Sequence, residues 1–431
     1  MKISKSFYVL FTILVVSLYF SCSKEENETN VFDSPNILLI IADDLGKDAI
    51  NGYTEGNIKP STPNIDAIRN KGLMFKNFWV NPLCSPSRSS IITGKYGFRT
   101  GVKGVGDVLK TSEVSLQKYI SNNTNNKYAS ALIGKWHLSG NNTSVNPESF
   151  GIDYYKGVIR GAVDDYYKWQ MTEDGVSSFQ TKYATEAFTD LAIDWVNNQS
   201  KPWFLWLAYN APHTPFHTPP SNMHKQGSLP DYTNGLNPTP YFMAAIEAMD
   251  YQIGRLLDNI PKSERENTII IFIGDNGTPS QVAQSPFTSS TVKNTLYQGG
   301  INVPMFISGT SVSRTGTDNN LITGTDLFAT IAEIAGISIS EINDSKSFKS
   351  LFNHSSTIRE YQYSELVDGN INNWTIRNNR FKLMVSADGN KEMFNLENDP
   401  YEQKNLLLGN LTSEEASAKS ALENELLNIR K

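Results

Sequence analysis

The sequence predicts an α/β fold that is followed by a smaller second lobe. Three apolar runs support this prediction: PNILLIIADD from Pro35, PWFLWLAYNAPH from Pro202 and NTIIIFIGDNG from Asn267. Their apolar residues do not alternate with polar ones, which is typical of strands buried on both faces of a parallel sheet. Segments with helical periodicity separate the runs, and such alternation indicates α/β architecture.

Two of these helical segments lie at residues 183–198 (YATEAFTDLAIDWVNN) and 239–260 (TPYFMAAIEAMDYQIGRLLDNI). In the second, we expect Thr239 to cap the helix and Pro240 to occupy its first position, which suits the fixed φ of proline. TDLFATIAEIAG at residues 325–336 predicts a further helix.

The pattern then changes. NWTIRNNRFKLMV at residues 373–385 and KEMFNLEND at 391–399 predict short strands of a meander, and ASAKSALENELLNIRK at 416–431 predicts a closing helix. We therefore predict a main domain at residues 35–350 and a smaller C-terminal subdomain at 351–431, containing a short antiparallel sheet and a helix.

The N-terminus predicts export. Lys2 and Lys5 precede an uncharged run at residues 7–20, which is too short for a comfortable membrane span. We predict a lipoprotein signal peptide at residues 1–21, lipidation of Cys22 and a polar tether at 22–34. Tyr19 stands where such signals usually carry leucine, and the alternative is an ordinary secretory signal. We expect the protein to be anchored to a membrane through the N-terminal lipid and to face the periplasm or the surface of the outer membrane.

Charge excludes one class of function. The 431 residues carry 38 Lys and Arg against 44 Asp and Glu, a net charge of −6, and contain no basic run. Nucleic-acid binding needs a surface that neutralises phosphates, so we expect no nucleic-acid partner.

The chain has only two cysteines. If Cys22 is lipidated or removed, Cys84 has no disulfide partner, which is unusual in an exported protein.

Polar residues stand where the predicted buried strands end. Because ligands gather beyond the carboxyl ends of parallel strands, we expect these side chains to surround one crevice. An adjacent pair of carboxylates converges only if the chain turns between them, which Gly46 would permit. Alone, such a pair is more often a solvated strand end. Three of these side chains are carboxylates and one is an amide, and their oxygen donors suit Ca²⁺ or Mg²⁺ rather than Zn²⁺. The residues are Asp43, Asp44, His213, Asp275 and Asn276.

Further candidates lie in two other segments. Lys135 and His137 are two residues apart, so an extended chain would present an ammonium group and an imidazole on one side. An isolated Lys-x-His motif more often lies on the protein surface without a function. His213 and His217 lie in NAPHTPFHTPP, where the prolines suit either the positioning of a side chain or simple loop rigidity.

Cys84-Ser85-Pro86-Ser87-Arg88, which continues into SSIITG, matches a cysteine-x-proline-serine-arginine signature. Together with the residues above, it resembles the type I sulfatases of the alkaline-phosphatase-like superfamily, in the form found as lipoproteins of polysaccharide-degrading bacteria. The resemblance covers nearly the whole chain after the signal. It implies that superfamily's fold, an α/β fold in which a large mixed sheet is flanked by helices and followed by a smaller C-terminal lobe. It also implies that a dedicated maturase oxidises Cys84 to formylglycine (3-oxoalanine), whose aldehyde hydrates to a geminal diol. One hydroxyl attacks sulfur, and the other later expels sulfate by carbon–oxygen cleavage.

The resemblance also implies a role for each matching residue. Ca²⁺, with Mg²⁺ less favoured, would be bound by residue 84 and by Asp43, Asp44, Asp275 and Asn276. Arg88 would hold the modified residue, and Lys135 and Lys293 would contact the sulfate. His137 would accept the diol proton, and His213 or Lys135 would protonate the leaving alkoxide. For His217, a substrate subsite and a structural role are weighed equally. Glu402, in the C-terminal NDPYEQ segment, would be structural.

The predicted function is removal of sulfate from a sulfated carbohydrate, either an algal polysaccharide of the ulvan, carrageenan or fucoidan type or its oligosaccharides. The alternatives are a phosphonate monoester or phosphodiester hydrolase of the same superfamily, and a glycosaminoglycan sulfatase. A non-catalytic carbohydrate-binding lipoprotein is disfavoured because every proposed catalytic position is filled.

Overall fold

The computed structural model describes residues 34–140, 145–369 and 371–431. The predicted signal peptide, Cys22 and nearly all of the predicted tether lie outside these ranges. Within them, no helix combines the length and the apolar character that crossing a membrane requires.

The main element is a ten-stranded mixed sheet. Its strands lie in the order β10-β2-β9-β8-β1-β7-β3-β4-β5-β6. Their bounds are β1 (Asn36–Ala42), β2 (Leu73–Trp79), β3 (Ala129–Lys135), β4 (Tyr154–Val158), β5 (Trp169–Glu173), β6 (Val176–Gln180), β7 (Trp203–Ala208), β8 (Thr268–Gly274), β9 (Met305–Gly309) and β10 (Gly316–Thr323).

The centre of the sheet is parallel. Strands β8, β1, β7, β3 and β4 pair in parallel, and the outer pairs β8–β9, β2–β9, β4–β5 and β5–β6 are antiparallel. The three apolar runs form β1, β7 and β8 as predicted strands, and the structure places them side by side. Because parallel strands run in one direction, the polar residues that follow them meet at one edge of the sheet.

Helices cover both faces. The α-helices of the described residues are α1 (Pro63–Asn70), α2 (Cys84–Thr93), α3 (Gly97–Thr100), α4 (Leu116–Asn123), α5 (Ala184–Asn197), α6 (Thr239–Asn259), α7 (Lys262–Glu266), α8 (Gln298–Ile301), α9 (Asp326–Ile334) and α10 (Ser413–Ile429). Ile37, Leu39 and Ile41 of β1 join a core that contains residues of α2, α4 and α9. Leu38 and Ile40 join a second core with residues of α1, α5 and α6. Since alternate side chains point to opposite faces, a strand buried on both faces must be apolar throughout.

The predicted helices at 183–198, 239–260 and 325–336 are confirmed as α5, α6 and α9. One detail was wrong: Thr239 does not cap α6 but is its first residue, and Pro238 holds the N-cap position without a side-chain hydrogen bond. Pro240 still lies within the first turn, where its missing N–H costs nothing.

The C-terminal region contains the predicted meander. It consists of β13 (Gln362–Asp368), β14 (Ile371–Arg377), β15 (Phe381–Val385) and β16 (Lys391–Asn395), all antiparallel, after a short hairpin of β11 (Glu341–Ile342) and β12 (Ser345–Lys346). Leu422 and Leu426 of α10 pack on this sheet. The helix begins earlier than the predicted segment because Thr412 and Glu415 form a capping box. The domain boundary at residue 350 stays a prediction.

Candidate active site

The structure gathers the predicted site residues beyond the carboxyl ends of the central strands. The backbone N–H of Asp44, after β1, donates to Asp275 Oδ1 at 3.1 Å, although the two residues are 231 positions apart. Asn276 Nδ2, after β8, donates to Asp44 Oδ1 at 2.7 Å. His213, after β7, places Nε2 3.7 Å from Asp44 Oδ2. The predicted convergence of these side chains is therefore confirmed, while their chemical roles stay predictions.

The chain turns at Asp44 itself. Asp44 has φ of 68°, in the left-handed region, whereas Gly46 is extended at φ −89°. The expectation that Gly46 supplies the turn was wrong. Space is the reason for glycine at this position, because a Cβ atom there would lie 2.5 Å from Thr278 Oγ1. Asp44 tolerates its conformation because aspartate is one of the residues that visit this region most readily.

Cys84 is the first residue of α2 and is buried. Leu83, at the N-cap, provides no side-chain hydrogen bond, so no side chain caps the positive end of the helix dipole at Cys84. Cys84 Sγ lies 3.1 Å from His137 Nδ1. Burial raises the pKa of the Cys84 thiol, despite the opposing charge of Lys135. An unmodified thiol at this position would stay protonated and react poorly as a nucleophile.

Arg88, on α2, joins two parts of the site. Its Nε and Nη2 donate to Asp275 Oδ2 at 3.0 and 2.8 Å, and its Nη1 donates to the Lys135 carbonyl oxygen at 2.9 Å. Lys135, the last residue of β3, in turn donates from Nζ to Asp43 Oδ2 at 2.6 Å. The side chains of Lys135 and Asp43 are fully buried. This network fixes two of the three carboxylates.

Lys293 neutralises the third carboxylate. Its Nζ forms a short ion pair with Asp44 Oδ1, and its side chain is 15% exposed. Burial alone would raise the pKa of Asp44, but Lys293, His213 and Lys135 outweigh burial and lower it. Asp44 is therefore firmly ionised.

The two loop histidines differ. His213 Nδ1 donates to the Thr214 carbonyl oxygen at 2.6 Å, which leaves Nε2 toward the site. His217 Nδ1 donates to the Pro215 carbonyl oxygen, and its Nε2 lies 3.0 Å from the Tyr183 hydroxyl. The His217 ring also stacks on Tyr166 with 3.7 Å between centroids. Because both nitrogens of His217 have partners within the protein, the geometry favours the structural alternative for this residue.

The arrangement fits a hard cation. Asp43 Oδ1 and Asn276 Oδ1 are buried oxygens without a hydrogen-bond partner. Ligand atoms of Asp43, Asp44 and His213 lie within 4.8 Å of one another. Burial raises the pKa of Asp43, and Asp275 and Asp44 add to this effect against Lys135. The two unpaired oxygens of Asp43 and Asn276 are donors of the kind that Ca²⁺ and Mg²⁺ prefer. Both Asp275 oxygens already accept hydrogen bonds.

One neighbour of His137, Gly161, was not predicted from the sequence. A Cβ atom on Gly161 would lie 2.4 Å from His137 Cε1 and 2.5 Å from Nε2, so the backbone of Gly161 packs directly on the imidazole. His137 has φ of 58°, and its N–H donates to the Ile159 carbonyl oxygen at 3.1 Å. Lys135 and His137 thus reach one site as predicted, although His137 lies beyond the strand rather than on it.

Comparison with known proteins identifies the family. The family model described as Sulfatase matches residues 35–337. The chain belongs to the sulfatase family. A second model, described as N-sulphoglucosamine sulphohydrolase, C-terminal, matches residues 291–431 of this sulfatase.

Several curated relatives are larger. This sulfatase is 27% identical to arylsulfatase J of Mus musculus, over 71% of this chain and 53% of the relative. It is 28% identical to the N-acetylgalactosamine-6-sulfatase of Homo sapiens, over 70% of this chain and 62% of the relative. The chain thus spans less than two thirds of these relatives' length. A sulfatase of Formosa agariphila is 24% identical, with 97% of this chain and 92% of the relative covered.

Solved structures confirm the fold class. The complex of Ps i-CgsB with k-i-k-neocarrahexaose superposes with a TM-score of 0.76 at 26% identity, covering 92% of each chain. BT4656, solved with its substrate D-glucosamine-2-N,6-O-disulfate, gives a TM-score of 0.75 at 21% identity, covering 92% of this sulfatase and 98% of that chain. At that identity the second match shows the fold alone.

Proposed function

We propose that this protein hydrolyses sulfate esters of a carbohydrate, with residue 84 as the nucleophile after its cysteine has been oxidised to formylglycine. The observation that carries the proposal is the position of Cys84. It lies at the start of a buried helix, 3.1 Å from an imidazole, and the charges of Lys135, Asp43, Lys293 and Asp275 act on it. An unmodified, buried thiol of raised pKa is a poor nucleophile for the hydrolysis of a sulfate ester. A hydrated aldehyde at the same position supplies two hydroxyl groups, one for attack and one for release of sulfate.

In the proposed reaction, one hydroxyl of the hydrated residue 84 attacks sulfur and loses its proton to solvent. The sulfur–oxygen bond to the sugar breaks, and the sugar leaves as an alcohol after its alkoxide oxygen takes a proton. His137 then takes the proton of the second hydroxyl, and cleavage of the carbon–oxygen bond releases sulfate and restores the aldehyde. Burial, followed by the charges of Lys135 and Arg88, lowers the pKa of His137 well below its usual value. The imidazole is therefore held neutral and able to accept a proton.

We assign protonation of the leaving alkoxide to His213 rather than to Lys135. The side chain of His213 is 16% exposed, and its Nδ1–H donates to the Thr214 carbonyl oxygen, so in the imidazolium form Nε2 carries the proton that is transferred toward the site. Lys135 is fully buried and donates to Asp43, so it is better placed to neutralise that carboxylate. Lys293, which is partly exposed, is the cation best placed to meet an entering sulfate group.

The donor set is proposed to hold Ca²⁺, with Mg²⁺ less favoured, through Asp43, Asp44, Asn276, Asp275 and residue 84. Such an ion, when bound, supplies positive charge that stabilises anionic oxygen in the transition state. The chain's own contribution is to hold these carboxylates at fixed positions, because Arg88 orients Asp275 and Lys135 orients Asp43.

For the substrate, we propose an algal polysaccharide of the ulvan, carrageenan or fucoidan type, or its oligosaccharides. Support comes from the Ps i-CgsB complex with k-i-k-neocarrahexaose, which matches over 92% of each chain. A glycosaminoglycan is the second candidate, because the C-terminal model and the human N-acetylgalactosamine-6-sulfatase also match. Desulfation of defined carrageenan, ulvan, fucan and glycosaminoglycan oligosaccharides would separate the two. Preference for the last group would overturn the algal assignment.

We also propose that the protein is exported and anchored by a lipid on Cys22, at the periplasmic face or the cell surface. The sequence of the N-terminal segment supports this. Labelling with a radioactive fatty acid should mark the wild-type protein and not Cys22→Ala. Equal labelling of both would refute lipidation at this residue.

The central proposal is tested by mass spectrometry of the peptide that contains residue 84, after expression with a formylglycine-generating maturase. We expect the mass of an aldehyde in place of the thiol, and an active protein with an intact thiol would contradict the mechanism. Comparison of an aryl sulfate with an aryl phosphodiester then tests the alternative activity of the superfamily. Faster turnover of the phosphodiester would favour that alternative.

A further inference from the structure

A pocket with several cationic side chains in its walls lies outside the cluster around Cys84. It has a volume of about 360 Å³, and its walls include Lys47 after β1, Lys76 on β2, Gln298 on α8 and Arg377 on β14. None of the residues assigned to the active site lines it. The pocket therefore needs an explanation of its own.

The cations of this pocket lack carboxylate partners. Lys47 and Arg377 are each only 4% exposed, yet among the described residues neither forms an ion pair. Lys47 Nζ donates to the Lys76 carbonyl oxygen and, at 2.7 Å, to Asn302 Oδ1. Arg377 donates to the carbonyl oxygens of Asn378 and Asn379 and to the Asn77 side chain. Buried charges are normally paired, because burial of a lone charge is costly.

Glu55 is the carboxylate residue among the lining residues, and in the described part of the chain it pairs with none of these cations. Burial, together with Arg377 and Lys76, lowers the pKa of Lys47 to about 7, although Glu55 opposes this. An anion in the pocket would relieve the repulsion between these cations.

A chain of hydrogen bonds orients a further donor. An ammonium group only donates, so Lys47 requires the oxygen of the Asn302 amide, and the Asn302 Nδ2 group must then be a donor. It donates to Gln298 Oε1 at 2.8 Å. The Gln298 amide is thereby fixed with Nε2 as its free end, and this buried nitrogen has no hydrogen-bond partner. Gln298 is 5% exposed and lines the pocket.

The geometry points to an oxyanion site: we propose that this pocket binds a sulfate group through Lys47, Lys76, Arg377 and the Gln298 amide. The group could come from free inorganic sulfate or from a sulfate ester on a sugar. Phe287 and Tyr401, whose rings lie 5.8 Å apart, also line the pocket and offer apolar surface against which a sugar ring can pack. The inference does not depend on the proposed hydrolysis.

The test is equilibrium dialysis with radiolabelled inorganic sulfate, which measures both affinity and the number of ions bound. We expect the wild-type protein to bind one equivalent more than Gln298→Glu. This variant keeps an oxygen for Asn302 but replaces the free donor with an acceptor. Lys76→Gln removes an exposed ammonium group that forms no hydrogen bond with the described part of the chain, so folding should be unaffected. Affinity at this site should fall about tenfold.

Lys71→Gln is the matched control, because Lys71 is an exposed lysine just before β2 that does not line the pocket. It should bind sulfate like the wild type. A sulfated monosaccharide in place of sulfate distinguishes the two sources, since an ester-specific site would bind only the sugar. Turnover by Lys71→Gln should also stay unchanged. If wild type, Gln298→Glu and Lys76→Gln bind both probes with the same stoichiometry and affinity, the pocket is no sulfate site.

Discussion

Two clusters of buried charged side chains in this protein each combine carboxylates with cations, but they differ in whether all their buried polar atoms have hydrogen-bond partners. In the active site, Asp43, Asp44 and Asp275 face the cations of Arg88, Lys135 and Lys293. Two buried oxygens there, on Asp43 and Asn276, have no hydrogen-bond partner. Between α8 and the C-terminal sheet, Lys382 and Glu402 form the other cluster, a buried ion pair.

The C-terminal pair is complete. Lys382 Nζ donates to Glu402 Oε1 and to the Leu296 carbonyl oxygen, and Glu402 Oε2 accepts from the Gln298 backbone N–H at 2.6 Å. Every charged side-chain atom of this pair therefore has a hydrogen-bond partner, which leaves no unpartnered buried atom for a ligand. A buried acceptor without a partner carries a desolvation cost that a ligand can remove. Unfilled capacity, rather than buried charge itself, therefore distinguishes the site from the structural pair.

The largest expected effect is that of Cys84→Ala on turnover. The nucleophile precursor is lost, so we expect turnover of an aryl sulfate to fall by at least about 10³-fold. Substrate binding and the melting temperature should change little, because alanine fits the space of the thiol. Steady-state kinetics and calorimetry on the same preparation measure both effects. Activity close to that of the wild type would remove residue 84 from the mechanism.

Glu402→Gln should show the opposite pattern. Removal of one charge leaves Lys382 buried beside a neutral amide, and we expect a loss of about 3 kcal/mol in the free energy of unfolding. Turnover per folded molecule should stay unchanged. Urea denaturation measures the loss.

The matched control for Glu402→Gln is the double variant that adds Lys382→Met, since removal of both charges avoids the unpaired ammonium. It should be more stable than the single variant. A double variant that is no more stable would show that the ion pair does not determine stability here.

Asp43→Asn tests whether the unpaired carboxylate oxygen of Asp43 binds calcium. Calcium should raise the melting temperature of the metal-stripped wild type, since binding to the native state stabilises it by about 2.7 kcal/mol at a hundred times Kd. Asp43→Asn should lose most of this rise because it removes a charged ligand. Glu402→Gln, by contrast, should keep the calcium response from its lower starting temperature. An equal response in Asp43→Asn would exclude Asp43 as a ligand.

Gly161→Ala should have the smallest effect. The new methyl group would lie against the His137 imidazole and displace it, so we expect turnover to fall about tenfold while KM changes little. Gly409→Ala is the control, because a Cβ atom at Gly409 meets only one atom within 4 Å, at 3.9 Å. A melting temperature lowered in Gly161→Ala with unchanged turnover would mean that Gly161 serves packing alone.

The sequence alone was enough to predict the fold class, because continuous apolar runs and helical periodicity are local patterns that burial imposes on a chain. It also predicted which residues meet: Asp43, Asp44, Asp275 and Asn276 end neighbouring parallel strands, so topology brings them together. The role of Glu402 as a structural residue agrees with its buried ion pair.

Only the tertiary structure decided the rest. In the structure the chain turns at Asp44 and not at Gly46. Lys135 donates a hydrogen bond to Asp43, and Gly161 packs against His137. The structure also leaves the Gln298 amide without a partner in a second pocket. The physical reason is that such contacts join side chains up to hundreds of positions apart. Their distances depend on how whole elements pack, whereas a sequence pattern records only which face of its own element a residue occupies.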